Sequence, residues 1–66
     1  MTVLLNGQVR AIPGARTIAE LIRQLNLTPE ALLIEHNGLA LQRAEWDTRG
    51  IAQGDRIELV QVAAGG

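Results

Sequence analysis

Thr17-Ile18-Ala19-Glu20-Leu21-Ile22-Arg23-Gln24-Leu25 is the stretch on which the fold turns. Thr17 and Glu20 have the spacing of a capping box. The Thr17 hydroxyl can accept from the Glu20 amide, and the Glu20 carboxylate can reach back to the Thr17 amide. Behind the cap, Ile18, Leu21, Ile22 and Leu25 recur at i, i+3, i+4 and i+7. That is one apolar stripe on a helix of about two to three turns, ending near Asn26. A helix with one apolar face must bury it, so the flanks decide what it lies on. Upstream, Thr2 to Asn6 reads as a strand with Val3 and Leu5 on one face. Asn6-Gly7 signals a tight hairpin turn, Val9 to Ile12 returns as a second strand, and Pro13-Gly14 ends it. Downstream, Thr28-Pro29-Glu30 predicts a single helical turn. Leu32 to His36 is a third strand, Asn37-Gly38 a second hairpin signal, and Leu39 to Gln42 a short fourth strand. Arg43 to Thr48 lacks alternation and fits one helical turn. Gly50 and Gly54-Asp55 punctuate the loops around Ile51, and Arg56 to Val62 is the last strand.

The order is therefore ββαβββ. One helix lying across a mixed sheet solves the burial problem for that order, with the last strand beside and parallel to the first. This is an α+β, β-grasp (ubiquitin-like) architecture. Residues 1–62 are expected to form one domain, followed by a flexible tail at 63–66. Alternation in the last strand puts Ile57 and Leu59 on one face and Glu58, Val60 and Val62 on the other. Glu58 marks the second face as solvent. Val60 and Val62 are then exposed apolar residues next to the tail, and Leu4, on the outward face of the first strand, is a candidate to join them. Such a patch beside the chain end reads as a docking surface, the alternative being ordinary scattered surface hydrophobes.

Composition narrows the chemistry. The chain has 66 residues, 47% of them hydrophobic, and a formal net charge of −1. That charge gives no electrostatic case for nucleic acid or an anionic membrane. The N-terminus does not read as a signal peptide, and no stretch approaches a membrane span, so a soluble cytoplasmic protein is expected. There is no Ser, Lys, Cys or Tyr. A phosphopantetheine arm, biotin, lipoate, a Schiff base, a persulfide or a side-chain thioester has no place to attach. Side-chain nucleophiles are reduced to Thr, His36 and carboxylates, and no glycine-rich phosphate loop exists. The chain closes on Val62-Ala63-Ala64-Gly65-Gly66. A Gly-Gly end fits a channel too narrow for any side chain, although chain ends are also often small and frayed. If this protein carries a group covalently, the Gly66 carboxylate is the strongest candidate; otherwise it only binds a partner. His36 has Glu35 beside it but no second histidine, so a structural or surface role competes with metal ligation or phosphocarrier chemistry. Trp46 reads as core-edge packing or as a partner anchor. Arg43 and Arg56 read as solvated cations or contacts to acidic partners. Glu20 is a cap, and Asp55 shapes the turn before the last strand.

Over nearly its whole length the chain resembles the thiamine-biosynthesis sulfur carrier (ThiS) family. The markers are Asn6-Gly7, Thr17-Ile18-Ala19-Glu20-Leu21, Asn37-Gly38, Arg43-Ala44-Glu45-Trp46, Gly54-Asp55-Arg56-Ile57-Glu58 and Gly65-Gly66. The Gly-Gly and Gly-Asp motifs alone also fit the molybdopterin synthase small subunit, which usually has a longer chain. There are departures: Gln42 stands where the family often has Pro, Glu35-His36 replaces a more apolar pair, and Ala63-Ala64 replaces a larger apolar residue. The resemblance implies that an E1-like (ThiF-like) enzyme adenylates the terminal carboxylate with ATP. Sulfur delivered through a cysteine desulfurase then displaces AMP, and thiazole synthase (ThiG-like) takes sulfur from the resulting thiocarboxylate. The reactive position maps to Gly66, with Gly65, Ala64 and Ala63 as the tail that enters the partner. On this reading the chain is a co-substrate and not an enzyme, binds no cofactor itself, and is monomeric when free. A molybdopterin-serving carrier and a ubiquitin-like modifier or binding domain remain as alternatives.

Overall fold

A computed structural model of the chain describes residues 1–62. The elements are β1 (Thr2–Leu5), β2 (Gln8–Ala11), α1 (Ile18–Gln24), a 3-10 turn (Pro29–Ala31), β3 (Leu32–His36), β4 (Leu39–Leu41), a second 3-10 turn (Arg43–Glu45) and β5 (Arg56–Gln61). They match the expected order, and the boundaries move by one residue at several strand ends. The five strands form one mixed sheet in the order β2-β1-β5-β3-β4. β5 is the central strand, parallel to β1 and antiparallel to β3.

The central position of β5 follows from its pattern. Ile57 is fully buried and Leu59 partly buried on the inner face, so the strand contributes to the core along most of its length. β3 alternates strictly: Leu32, Ile34 and His36 point in, Leu33 and Glu35 out. α1 covers this inner face with Ile18, Leu21 and Ile22. At only 7 residues such a helix is marginal by itself, so tertiary packing must hold it. β2 buries none of its own residues. Ile12, just past its end, fills the core instead, and its N–H donates to Met1 O at 2.8 Å.

The capping box forms as expected, with Glu20 N to Thr17 Oγ1 and Thr17 N to Glu20 Oε1 both at 3.2 Å. Two further donors of the first turn find partners in the segment after the second 3-10 turn. Ile18 N–H donates to Arg49 O and Ala19 N–H to Trp46 O, both at 3.0 Å. The helix ends in a Schellman motif. Asn26 takes φ of 58°, its N–H bonds Arg23 O, and Leu27 N–H bonds Ile22 O at 3.2 Å.

Both Asn-Gly pairs adopt positive φ at both residues, as the two-residue hairpin turn requires. Their side chains do more than turn the chain. Asn6 Oδ1 accepts from Leu59 N–H and Asn37 Oδ1 from Arg56 N–H, each at 2.8 Å. Each hairpin tip thus grips the backbone of β5. Among the described residues no helix is long and apolar enough to cross a membrane.

Candidate functional site

β5 has two chemically different ends. At its C-terminal end the outer face carries Val60, 54% exposed, directly opposite Leu33 of β3, 61% exposed. Residues facing each other across antiparallel strands have Cβ atoms about 5 Å apart, so the two make one apolar spot. They line a shallow groove of about 250 Å³ whose sides include Glu35, Ala40 and Glu58. Val62 is also exposed, and its N–H donates to Ala31 O at 2.8 Å.

Val60 and Val62 are thus both exposed, two residues apart at the end of the described chain. Leu4 does not join them. It lies on the same face, half-buried, but pairs with Arg56 in the parallel register and with Val9 in the hairpin. Val60 is four residues further along β5, about 13 Å away at about 3.3 Å per residue. The reason is strand length: β1 ends at Leu5, whereas β5 runs on past it. The residue that completes the spot is Leu33, which the sequence reading does not single out. Its signal is the alternation of Leu32-Leu33-Ile34-Glu35, which puts Leu33 outward once β3 is known to pair with β5. Gly66, Gly65, Ala64 and Ala63 lie outside the described residues.

At the N-terminal end of β5 the structure gathers polar groups instead. His36 is only 4% exposed. Its Nε2 lies 2.7 Å from Asp55 Oδ2, and its Nδ1 accepts from Arg49 Nε at 2.9 Å. Asp55 also accepts from Ala52 N–H at 2.8 Å and from Asn37 Nδ2 at 3.1 Å. Burial pushes the Asp55 carboxyl up, but the hydrogen bonds from Ala52, His36 and Asn37 together outweigh it and hold it below the usual carboxylate value. With both ring nitrogens of His36 engaged, neither is free for a metal or a phosphoryl group. Among the described residues no group of three or more metal-ligating side chains exists. His36 is thus held inside the fold between the Asp55 carboxylate and the Arg49 guanidinium. Its partner Arg49 carries no sequence signal, because the pairing exists only after β3 and the loop before β5 meet.

Trp46 packs into the core edge, with the Arg43 guanidinium 5.2 Å from its ring centroid. Its Nε1 has no partner among the described residues. The exposed Arg56 contributes its backbone N–H to Asn37.

The model of the ThiS family matches residues 3–66 of this chain. The sulfur carrier protein ThiS of Escherichia coli (strain K12) is 32% identical over 66 residues, covering 100% of both chains. Among solved structures, the crystal structure of the thiamine biosynthesis protein ThiS from Geobacter metallireducens superposes with a TM-score of 0.84 at 29% identity, covering 100% of both chains. The solution structure of a thiamine biosynthesis protein from the same organism gives 0.81 at 29% identity, covering 100% of this chain and 88% of that one. A match across almost the entire chain, on a sheet of the same architecture, makes this protein a member of the ThiS family, the small β-grasp sulfur carriers of thiamine biosynthesis.

Proposed function

We propose that the Gly66 carboxylate is the sulfur-carrying group. A ThiF-like enzyme joins it to AMP by attack of the carboxylate oxygen on the α-phosphate of ATP, with pyrophosphate leaving. A free carboxylate is a poor electrophile, and AMP supplies the leaving group it lacks. A persulfide delivered through a cysteine desulfurase displaces AMP to give an acyl disulfide, a thiol reductant cleaves its S–S bond to leave the thiocarboxylate, and a ThiG-like thiazole synthase consumes it. The chain is a co-substrate in both steps, acting in the cytoplasm.

The observation that supports this reading is the exposed Leu33–Val60 spot, two residues before Val62, the last described residue. Four extended residues beyond Val62 reach about 13 Å, at about 3.3 Å each. A partner that docks on the outer face of β5 and β3 can therefore receive the carboxylate in a recessed site. Gly65 and Gly66 keep the last part of that path narrow. Ordering a tail costs entropy, so the docking face must supply much of the affinity.

Intact-mass analysis after incubation with ATP, the activating enzyme and a sulfur source tests the proposal. Replacement of one oxygen by sulfur at Gly66 is expected, and one residue appended after Gly66 should abolish it. An unchanged mass, with the enzymes active on another carrier, would overturn it.

A further inference from the structure

The buried His36 cluster is not used by the carrier chemistry, and its geometry defines a protonation state. Arg49 Nε can only donate, so His36 Nδ1, 2.9 Å away, must present its lone pair. The ring proton is then on Nε2, where it is donated to Asp55 Oδ2 at 2.7 Å. The imidazole is neutral and locked in one tautomer between a cation and an anion.

We infer that His36 is a proton-sensitive latch: a second proton, taken up at Nδ1, breaks the bond to Arg49 and frees the segment that clasps the start of α1. The added proton occupies the only lone pair that Arg49 uses and sets two positive groups against each other. The opposite side of the ring behaves differently. The Nε2–H bond to Asp55 survives and becomes an ion pair, so β3 stays tied to the turn before β5. Release is thus directed to one side.

The charged groups around the ring support that direction. Arg49 comes from the segment after the second 3-10 turn, and Asp55 from the turn before β5. Glu35 of β3 and Arg56 and Glu58 of β5 belong to the outer face of the sheet. β4 contributes no charge, pairing Leu39 with His36. On α1, Glu20 is occupied in the capping box, and Arg23 lies in the last turn.

The backbone around Arg49 shows what is released. Arg49 O accepts from Ile18 N–H, Gly50 bridges Thr17, and Ile51 N–H donates to Arg16 O at 2.9 Å. These bonds stitch the 49–51 segment to the residues that open the helix. Leu33 and Val60 belong to a different part of the sheet.

Nitrogen-detected NMR of the imidazole on the full chain, with amide protection factors measured across the same pH series, tests the latch. At neutral pH Nδ1 should be unprotonated and Nε2 protonated. As His36 takes up its second proton, protection at Ile18 and Ile51 should fall about tenfold, the factor that corresponds to about 1.4 kcal/mol, near the value of one charge-assisted hydrogen bond. Protection at Leu33 and Val60 should not change. Arg49→Gln keeps a donor, removes the charge and adds an amide oxygen that can accept from a protonated Nδ1, so the loss of protection at Ile18 and Ile51 on acidification should disappear. A proton on Nδ1 at neutral pH would overturn the inference. So would protection at Ile18 and Ile51 that stays flat through the His36 titration, or that falls together with every other amide.

Discussion

The two ends of β5 are built on opposite principles. At Arg56 the strand begins beside the buried His36, whose half-buried partners Asp55 and Arg49 bond it on either side, with the exposed Asn37 and Ala52 bonding Asp55 in turn. At Val60, and at Val62 just past its end, it carries apolar side chains that are exposed among the described residues. A fold maximising its own stability would cover the apolar end and leave polar groups in solvent. On the proposed function the difference separates two tasks within one strand: the first end holds the domain together, and the second offers a face to a partner.

Substitutions can break this contrast, and their effects on stability should fall in a definite order. Ile57 is fully buried between the two ends. Ile57→Ala should destabilise by about 3 kcal/mol in denaturant unfolding, from lost burial plus the cavity left behind. Asp55→Asn removes the charged acceptor of three donors, and a loss of roughly 2 kcal/mol is expected. It should also change the pH profile. The folded-state pKa of Asp55 is depressed, so its contribution is fully present above the unfolded value of about 3.9 and disappears as pH falls through the lower folded value. Wild type should therefore lose more stability over that acidic window than the variant, as thermal melts across the range would reveal. Asn37→Gly keeps the positive φ available but loses the bonds to Arg56 N–H and Asp55 Oδ1. About 1 kcal/mol is expected, read from the urea midpoint. Val60→Glu, at the open end, should leave stability within about 0.5 kcal/mol. Its affinity for the activating enzyme, measured by calorimetry, should drop by at least about tenfold, or about 1.4 kcal/mol.

Much of this architecture is legible in the residues before any coordinates. The capping box at Thr17 and Glu20, the stripe from Ile18 to Leu25 and the two Asn-Gly turns are local signals, each fixed by neighbours a few positions away. So is the alternation that turns Val60 outward. What the sequence does not disclose is register. Leu4 and Val60 share a face, but only the pairing of Leu4 with Arg56 shows that they stand apart. Leu33 becomes part of the spot only through its pairing with Val60. The second use of Asn6 and Asn37, gripping β5, depends on contacts between residues far apart in the chain. The same holds for Arg49 against His36. The alternation of β3 turns His36 inward with Leu32 and Ile34, but the partners that settle between a structural and a surface role come from a distant loop and leave no local trace.

The most direct test of the contrast joins structure to chemistry. Thiocarboxylate formation at Gly66 should be followed by intact mass for wild type, Val60→Glu and Asp55→Asn, at a temperature where melting curves show all three folded. The account predicts that Asp55→Asn is converted at the wild-type rate while Val60→Glu is converted slowly and recovers at high activating-enzyme concentration. Wild-type conversion of Val60→Glu, or slow conversion of a folded Asp55→Asn, would contradict it.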